Sequence, residues 1–205
     1  MKLDNKGLLV VISGPSGVGK GTVRKSLFSR SDHNLEYSIS MTTRNPREGE
    51  VDGVDYYFVS KEKFESEIER GNLLEHASFV GNYYGTPKDK VIEKLNQGHE
   101  VVLEIEVQGA LQVKEKMPEA VFIFIAPPSY HELKERLLNR GTESEDIIEE
   151  RLKKARREIK LASQYDYIVI NDEVDNAADR IMAIIRAEHA KCSRTIDEYY
   201  RLMEE

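Results

Sequence analysis

The chain has 205 residues, 40% hydrophobic and 33% charged, with a formal net charge of −7, a length that supports one domain with small insertions, burying roughly 70% of the surface the unfolded chain exposes. The acidic balance argues against a nucleic-acid backbone as main partner, because such proteins show a basic stripe; a local pair such as Arg44 and Arg47 is still able to bind a small anion. No apolar run is long enough to span a bilayer, the first residues lack a signal-peptide pattern, and the single Cys192 excludes an internal disulfide and fits a reducing cytoplasm.

The first element is an apolar run, 8–13, read as a buried strand. It leads into Ser13-Gly14-Pro15-Ser16-Gly17-Val18-Gly19-Lys20-Gly21-Thr22 and then a helix over 20–30. Strand, glycine loop and helix start are the context of a phosphate-binding P-loop. Gly14, Gly17 and Gly19 permit torsions that turn successive N–H groups toward one anion. The helix start adds free donors and the positive end of its dipole. Lys20 is placed to reach the outer phosphates of a nucleotide.

A second strand is predicted over 35–40. It runs into Ser38-Ile39-Ser40-Met41-Thr42-Thr43-Arg44-Asn45-Pro46-Arg47, where two arginines flank a proline turn and are able to clamp one phosphate; taken alone, the segment is equally a solvated loop. The stretch from Thr42 to about Lys88 is polar and turn-rich. It reads as a small β-rich insertion, with a short strand near 54–59 and a tight aromatic turn at Gly81-Asn82-Tyr83-Tyr84-Gly85-Thr86.

A helix over 87–97 and a strand over 101–106 return to the core. That strand carries Glu104 and Glu106 two apart, hence on one face. A parallel strand covered on both sides does not bury charge idly; coordinating hydrated magnesium or orienting the counter-groups of an anion would each use them. A helix over 109–116 and a strand over 121–126 follow. After Pro127-Pro128, helices over 130–139 and 143–164 form a flap carrying Arg136, Arg140 and Arg151. A strand over 167–171, a helix over 176–188 and a charged, helix-compatible tail complete the chain. The tail is expected to pack on the core or to make a subunit contact, so a homodimer is a candidate assembly. Strands alternating with helices predict an α/β fold, a parallel sheet covered by helices with its ligand at the carboxyl ends of the strands.

These segments together resemble the bacterial guanylate kinases. The likeness rests on Gly14–Lys20, Ser40–Glu50, Gly53–Val59, Gly81–Thr86, Glu106-Val107-Gln108-Gly109 and Ile125-Ala126-Pro127-Pro128-Ser129, in family order over nearly the whole chain. The resemblance implies a P-loop core (1–38, 90–128 and 161–205, the last with C-terminal helices), a GMP-binding insertion (39–89) and a helical lid (129–160). It implies transfer of a phosphoryl group from ATP to GMP with magnesium, in the cytoplasm, with no nucleic-acid or membrane partner. Position by position, Gly14, Pro15, Ser16, Gly17, Val18, Gly19, Lys20, Gly21 and Thr22 would hold ATP phosphates, and Asn171, with Asp172, would approach the ATP base. Arg44, Arg47, Tyr56 and Tyr84 would grip the GMP phosphate; Ser40, Glu75 and Thr86 would read guanine. Glu104 and Glu106 fall on the GMP side, where relatives often carry aspartate. Lys20, Arg44, Arg136, Arg140 and Arg151 would be the catalytic cations.

One position departs from the common P-loop pattern, which sets Ser or Thr after the lysine to bind magnesium. Here that residue is Gly21, and Thr22 projects about 100° away around the helix. No direct protein ligand is therefore expected: the ion would sit on ATP oxygens and waters, with Thr22, Glu104 and Glu106 acting across those waters. A non-catalytic, peptide-binding relative would have lost such cations, and a GTP-hydrolysing switch would show an Asn-Lys-x-Asp motif, which is absent.

Overall fold

The computed structural model describes residues 6–31, 34–138 and 145–204. In chain order, β1 (Leu9–Ser13) leads into α1 (Lys20–Phe28), and β2 (Leu35–Tyr37) passes into an insertion. The insertion comprises β3 (Met41–Thr42), β4 (Tyr57–Phe58), α2 (Lys61–Glu69), β5 (Leu73–Phe79) and β6 (Asn82–Pro87). The core resumes with α3 (Lys88–Asn96), β7 (Glu100–Glu104), α4 (Val107–Lys116) and β8 (Val121–Ala126). Then come α5 (Tyr130–Leu138), α6 (Glu145–Ile159), a 3-10 turn (Lys160–Gln164), β9 (Tyr167–Ile170), α7 (Val174–His189) and α8 (Cys192–Glu204).

Five strands form one parallel sheet in the order β2-β7-β1-β8-β9. Alternation along β1 explains why it is central. Val10 and Ile12 pack with Val23, Leu27 and Ile181 on one face, while Leu9 and Val11 pack with Leu74, Leu95 and Val113 on the other. Both faces are covered, so the strand reads as a continuous apolar run. The register sets Ile12 beside Glu104, and Ile105 N donates to Ile12 O at 3.2 Å. The end of β7 is thereby fixed against the start of the P-loop.

The insertion folds on a second sheet of order β4-β3-β6-β5. Phe64 of α2 is fully buried and stacks on Tyr83 at 5.4 Å between ring centroids. Ser60 starts α2 by accepting from Lys63 N at 3.2 Å. The flap helices α5 and α6 have a separate apolar cluster, Leu133, Leu137, Ile148, Leu152 and Ala155.

Three expectations are corrected here. The second strand stops at Tyr37, not 40, because the chain leaves the core sheet; Ser40 O accepts from Tyr57 N at 2.9 Å in the insertion. The segment Gly81–Thr86 is not a tight turn: the reversal is at Val80-Gly81, and Asn82 onward is a strand paired with β5. Finally, β7 ends at Glu104, and Glu106 occupies the extended position before the first turn of α4. The two carboxylates therefore do not share one strand face.

Candidate active site

The P-loop is built from the end of β1 and the start of α1. A Cβ on Gly14 would lie 2.2 Å from Ile125 O, so the loop passes against β8 only as glycine. A Cβ on Gly19, where φ is +93°, would meet Asn171 Nδ2 at 2.7 Å. Val18 is fully buried, and its carbonyl accepts from Asn171 Nδ2 at 2.7 Å and from Arg136 Nη1 at 3.3 Å. Arg136 also donates to Asn171 O at 2.9 Å. Gly14, Pro15 and Val18 thus seat the loop, while Ser16, Gly17, Gly19, Lys20, Gly21 and Thr22 line a cavity of about 490 Å³ with Lys25 and residues 104–106. Lys20 Nζ donates to Gly14 O at 2.6 Å and Pro15 O at 3.1 Å. Burial pulls its pKa down, and Glu104 foremost, then Glu158 and Glu106, oppose that shift.

A second cavity of about 570 Å³ opens between the insertion and the end of β7. Ser40, Tyr56, Glu75 and Tyr84 line it, together with Arg24, Tyr37, Gly109 and residues 104–106. Glu75 is 7% exposed, and its Oε1 accepts from Thr86 Oγ1 at 2.7 Å. Burial raises its pKa, offset in part by Thr86 and the Lys116 charge. Thr86 itself is buried behind Glu75.

Of the two arginines on this side, Arg44 is held through its guanidinium and Arg47 only through its backbone. Arg44 makes a two-pronged pair with Glu50, both contacts at 2.9 Å, and lies 5.3 Å from the centre of the Tyr56 ring. Glu50 also accepts from Arg47 N at 2.7 Å, and these contacts hold its carboxyl below the usual range. The Arg47 residue is exposed. The Asp172 carboxylate is taken up by Arg180 at 2.7 and 2.9 Å, and Asn171 is buried beneath the loop.

Sequence reasoning passed over three residues. Arg24 Nε stands 2.7 Å from Glu104 Oε2, with its guanidinium 4.3 Å from the centre of the Tyr37 ring; its i+4 spacing from Lys20 puts both on one face of α1. Lys154 of α6 contacts Glu106 at 2.7 Å and Glu158 at 3.6 Å. Glu158 is 6% exposed, and burial raises its pKa. Lys154 ties α6 to the start of α4, and its i+4 spacing from Glu158 was the available signal. Arg151 lies on α6 beside a cavity with Lys153, Lys154 and Arg157, and Arg136 of α5 holds the P-loop backbone. Arg140 lies outside the described residues.

The guanylate kinase family model matches residues 6–188. The chain belongs to the guanylate kinase family. It is 58% identical over 201 residues to a guanylate kinase of Streptococcus thermophilus strain CNRZ 1066, covering 98% of this chain and 96% of that one. It is 60% identical over 200 residues to one of Bacillus anthracis, covering 98% and 97%. The crystal structure of guanylate kinase from Anaplasma phagocytophilum superposes with a TM-score of 0.73 at 36% identity, covering 96% and 93%. Among the described residues of this guanylate kinase family member, no helix is long and apolar enough to cross a membrane. Nor, among them, are three or more His, Cys, Asp or Glu grouped to hold a metal ion.

Proposed function

We propose that this protein transfers the γ-phosphoryl group of ATP to GMP, yielding ADP and GDP, with magnesium, in the cytoplasm. The observation that carries this reading is the meeting of two cavities at residues 104–106, one floored by the P-loop and one walled by the buried Glu75 carboxylate. ATP phosphates take the P-loop N–H groups and Lys20; GMP takes the second cavity. Guanine presents N1–H and its exocyclic amine as neighbouring donors, and an ionised Glu75 accepts both. Ser40 lines the same wall, and Thr86 holds Glu75 in place. Arg44, set over Tyr56, and Arg47 supply charge for the GMP phosphate, with Tyr56 and Tyr84 at its edge.

Phosphoryl transfer asks for in-line positioning and for positive charge where the equatorial oxygens gain it. Lys20 supplies one such charge. Arg136 braces the loop, and Arg151 rides on α6, whose closure would keep water from the transferring group. Magnesium suits this donor set, because the oxygens of Glu104 face the Gly21 corner of the P-loop cavity. When bound, the ion neutralises phosphate charge.

The test is ADP formation from ATP with GMP, AMP, CMP and UMP in turn. A site built to pair a donor couple rejects analogues lacking it by roughly 10⁴, so GMP should be preferred by about that factor. Comparable turnover of AMP would overturn the assignment.

A further inference from the structure

The cavity between the insertion and the end of β7 is rich in carboxyl groups. Asp55, Glu75, Glu104 and Glu106 line it, and among the described residues Arg24 is the one lysine or arginine in its wall. A phosphate entering among those groups needs a cation within reach. Arg44 and Arg47 lie outside that wall, and the Arg44 guanidinium is already engaged by Glu50 and the Asn45 carbonyl.

Arg24 is held in a pose that suits an anion. It stands one turn along α1 from Lys20, and Phe28 one turn further, so the three share a helix face. Tyr37, at the end of β2, meets Phe28 edge-on at 6.2 Å between ring centroids and carries the Arg24 guanidinium 4.3 Å from its own ring centre. Glu104 Oε2 is 2.7 Å from Arg24 Nε but off the direction of its N–H, so the two form an ion pair and not an aligned hydrogen bond. Stacking and pairing thus use one face of the guanidinium and its Nε edge. The two Nη groups make no hydrogen bond among the described residues, and the side chain, 28% exposed, borders the cavity. A planar fork with two free donors matches two oxygens of one phosphate.

We infer that Arg24 binds the phosphate of the acceptor nucleotide, as a third arginine beside Arg44 and Arg47, with Glu104 and Tyr37 as its positioning residues. The inference rests on the ATP:GMP reading and adds a residue to its acceptor site. Lys20 lines the P-loop cavity and Arg24, on the same face of α1, lines the other. One helix therefore offers a cation to each nucleotide.

The test is calorimetric titration of the full chain with GMP and with guanosine, which differ by the phosphate alone. Arg24→Met, which keeps an apolar stem against Tyr37, should weaken GMP binding by about 10–100-fold, the range for hydrogen bonds to charged groups, and leave guanosine binding as in wild type. Arg24→Lys keeps the charge without the fork; it should lose part of the GMP affinity, and it carries the same contrast if Arg24→Met does not fold. Adding Glu104→Gln to Arg24→Met removes the carboxylate left unpaired, and most of the GMP loss should persist. Equal losses for GMP and guanosine would mean a merely structural role. GMP affinity regained in the double variant would mean that Arg24 only masks Glu104, and GMP affinity kept in both single variants would mean no contact with the phosphate. Any of these three results would overturn the inference. Each leaves the ATP:GMP reading standing if the wild type still prefers GMP in the monophosphate panel, whereas comparable turnover of AMP there ends that reading whatever Arg24 does.

Discussion

Glu75 serves binding at the expense of stability. The residue is 7% exposed, and burial raises its pKa despite the Thr86 hydrogen bond. Below the ordinary carboxylate range the group is protonated in both folded and unfolded chains. As pH rises through that range the unfolded chain loses its proton first, so the native state holds more protons and stability falls. The fall ends once native Glu75 ionises at its raised pKa. Glu75→Gln keeps an acceptor for Thr86 and removes the titration. Thermal melts without nucleotide should therefore show Glu75→Gln with a higher Tm than wild type at pH 7.5, the difference shrinking by pH 4.5. The same change should weaken GMP binding by about 10–100-fold, since hydrogen bonds to charged groups contribute roughly 1.5–3 kcal/mol. GMP affinity of wild type should decline on acidification from above the usual carboxylate range. A lower Tm for Glu75→Gln at pH 7.5 would show that the buried charge is satisfied by the fold itself.

The flap helices have an apolar cluster distinct from those of the core, with Leu133 and Leu137 also meeting Gly17 of the P-loop. α5 and α6 bury Leu133, Leu137, Ile148, Leu152 and Ala155 against each other, outside the clusters that sandwich the sheet. Leu152→Ala removes buried volume there, a change that costs about 2–5 kcal/mol in a core. Because the cluster is separate, the loss should appear locally. Amide exchange should quicken across α5 and α6 while β1, β7 and β8 keep their protection; uniform quickening would mean that the flap and core unfold together. How far elements were legible follows from the same logic. The P-loop was readable because its function needs a contiguous segment, Gly14 through Lys20, between an apolar strand and a helix. The end of β7 was not, since an apolar run with alternating Glu104 and Glu106 continues unbroken while the backbone turns at Ile105 into α4. β5 was missed because only Leu73, Leu74 and Glu75 are buried and the rest, from Ala77 on, is exposed at the cavity edge. α2 was missed because it buries little beyond Phe64 and Glu67. Arg24 was missed because its partners, Glu104 and Tyr37, come from different strands.

Across the whole molecule, two cavities adjoin at the end of the core sheet. The chain carries −7 overall; Lys20 and Lys25 line the P-loop cavity with Glu104 and Glu106, and Arg24 lines the other with Asp55, Glu75, Glu104 and Glu106. The cavities, about 490 and 570 Å³, share Glu104, Ile105 and Glu106 as common wall. If both nucleotides sit in one continuous cleft, a ligand that joins adenosine to guanosine through a polyphosphate makes its second contact intramolecularly. Linking of this kind increases affinity by about 10²–10⁴ over either part without new contacts, provided the linker spans the gap. In magnesium, the joined ligand should bind at least about 100-fold more tightly than ATP analogue or GMP alone and should raise Tm more than either at equal concentration. Shortening the bridge by one phosphate should forfeit much of the gain, because a linker that falls short cannot engage both sites. A joined ligand that binds no better than the tighter single nucleotide, at every bridge length, would mean that residues 104–106 separate the two cavities.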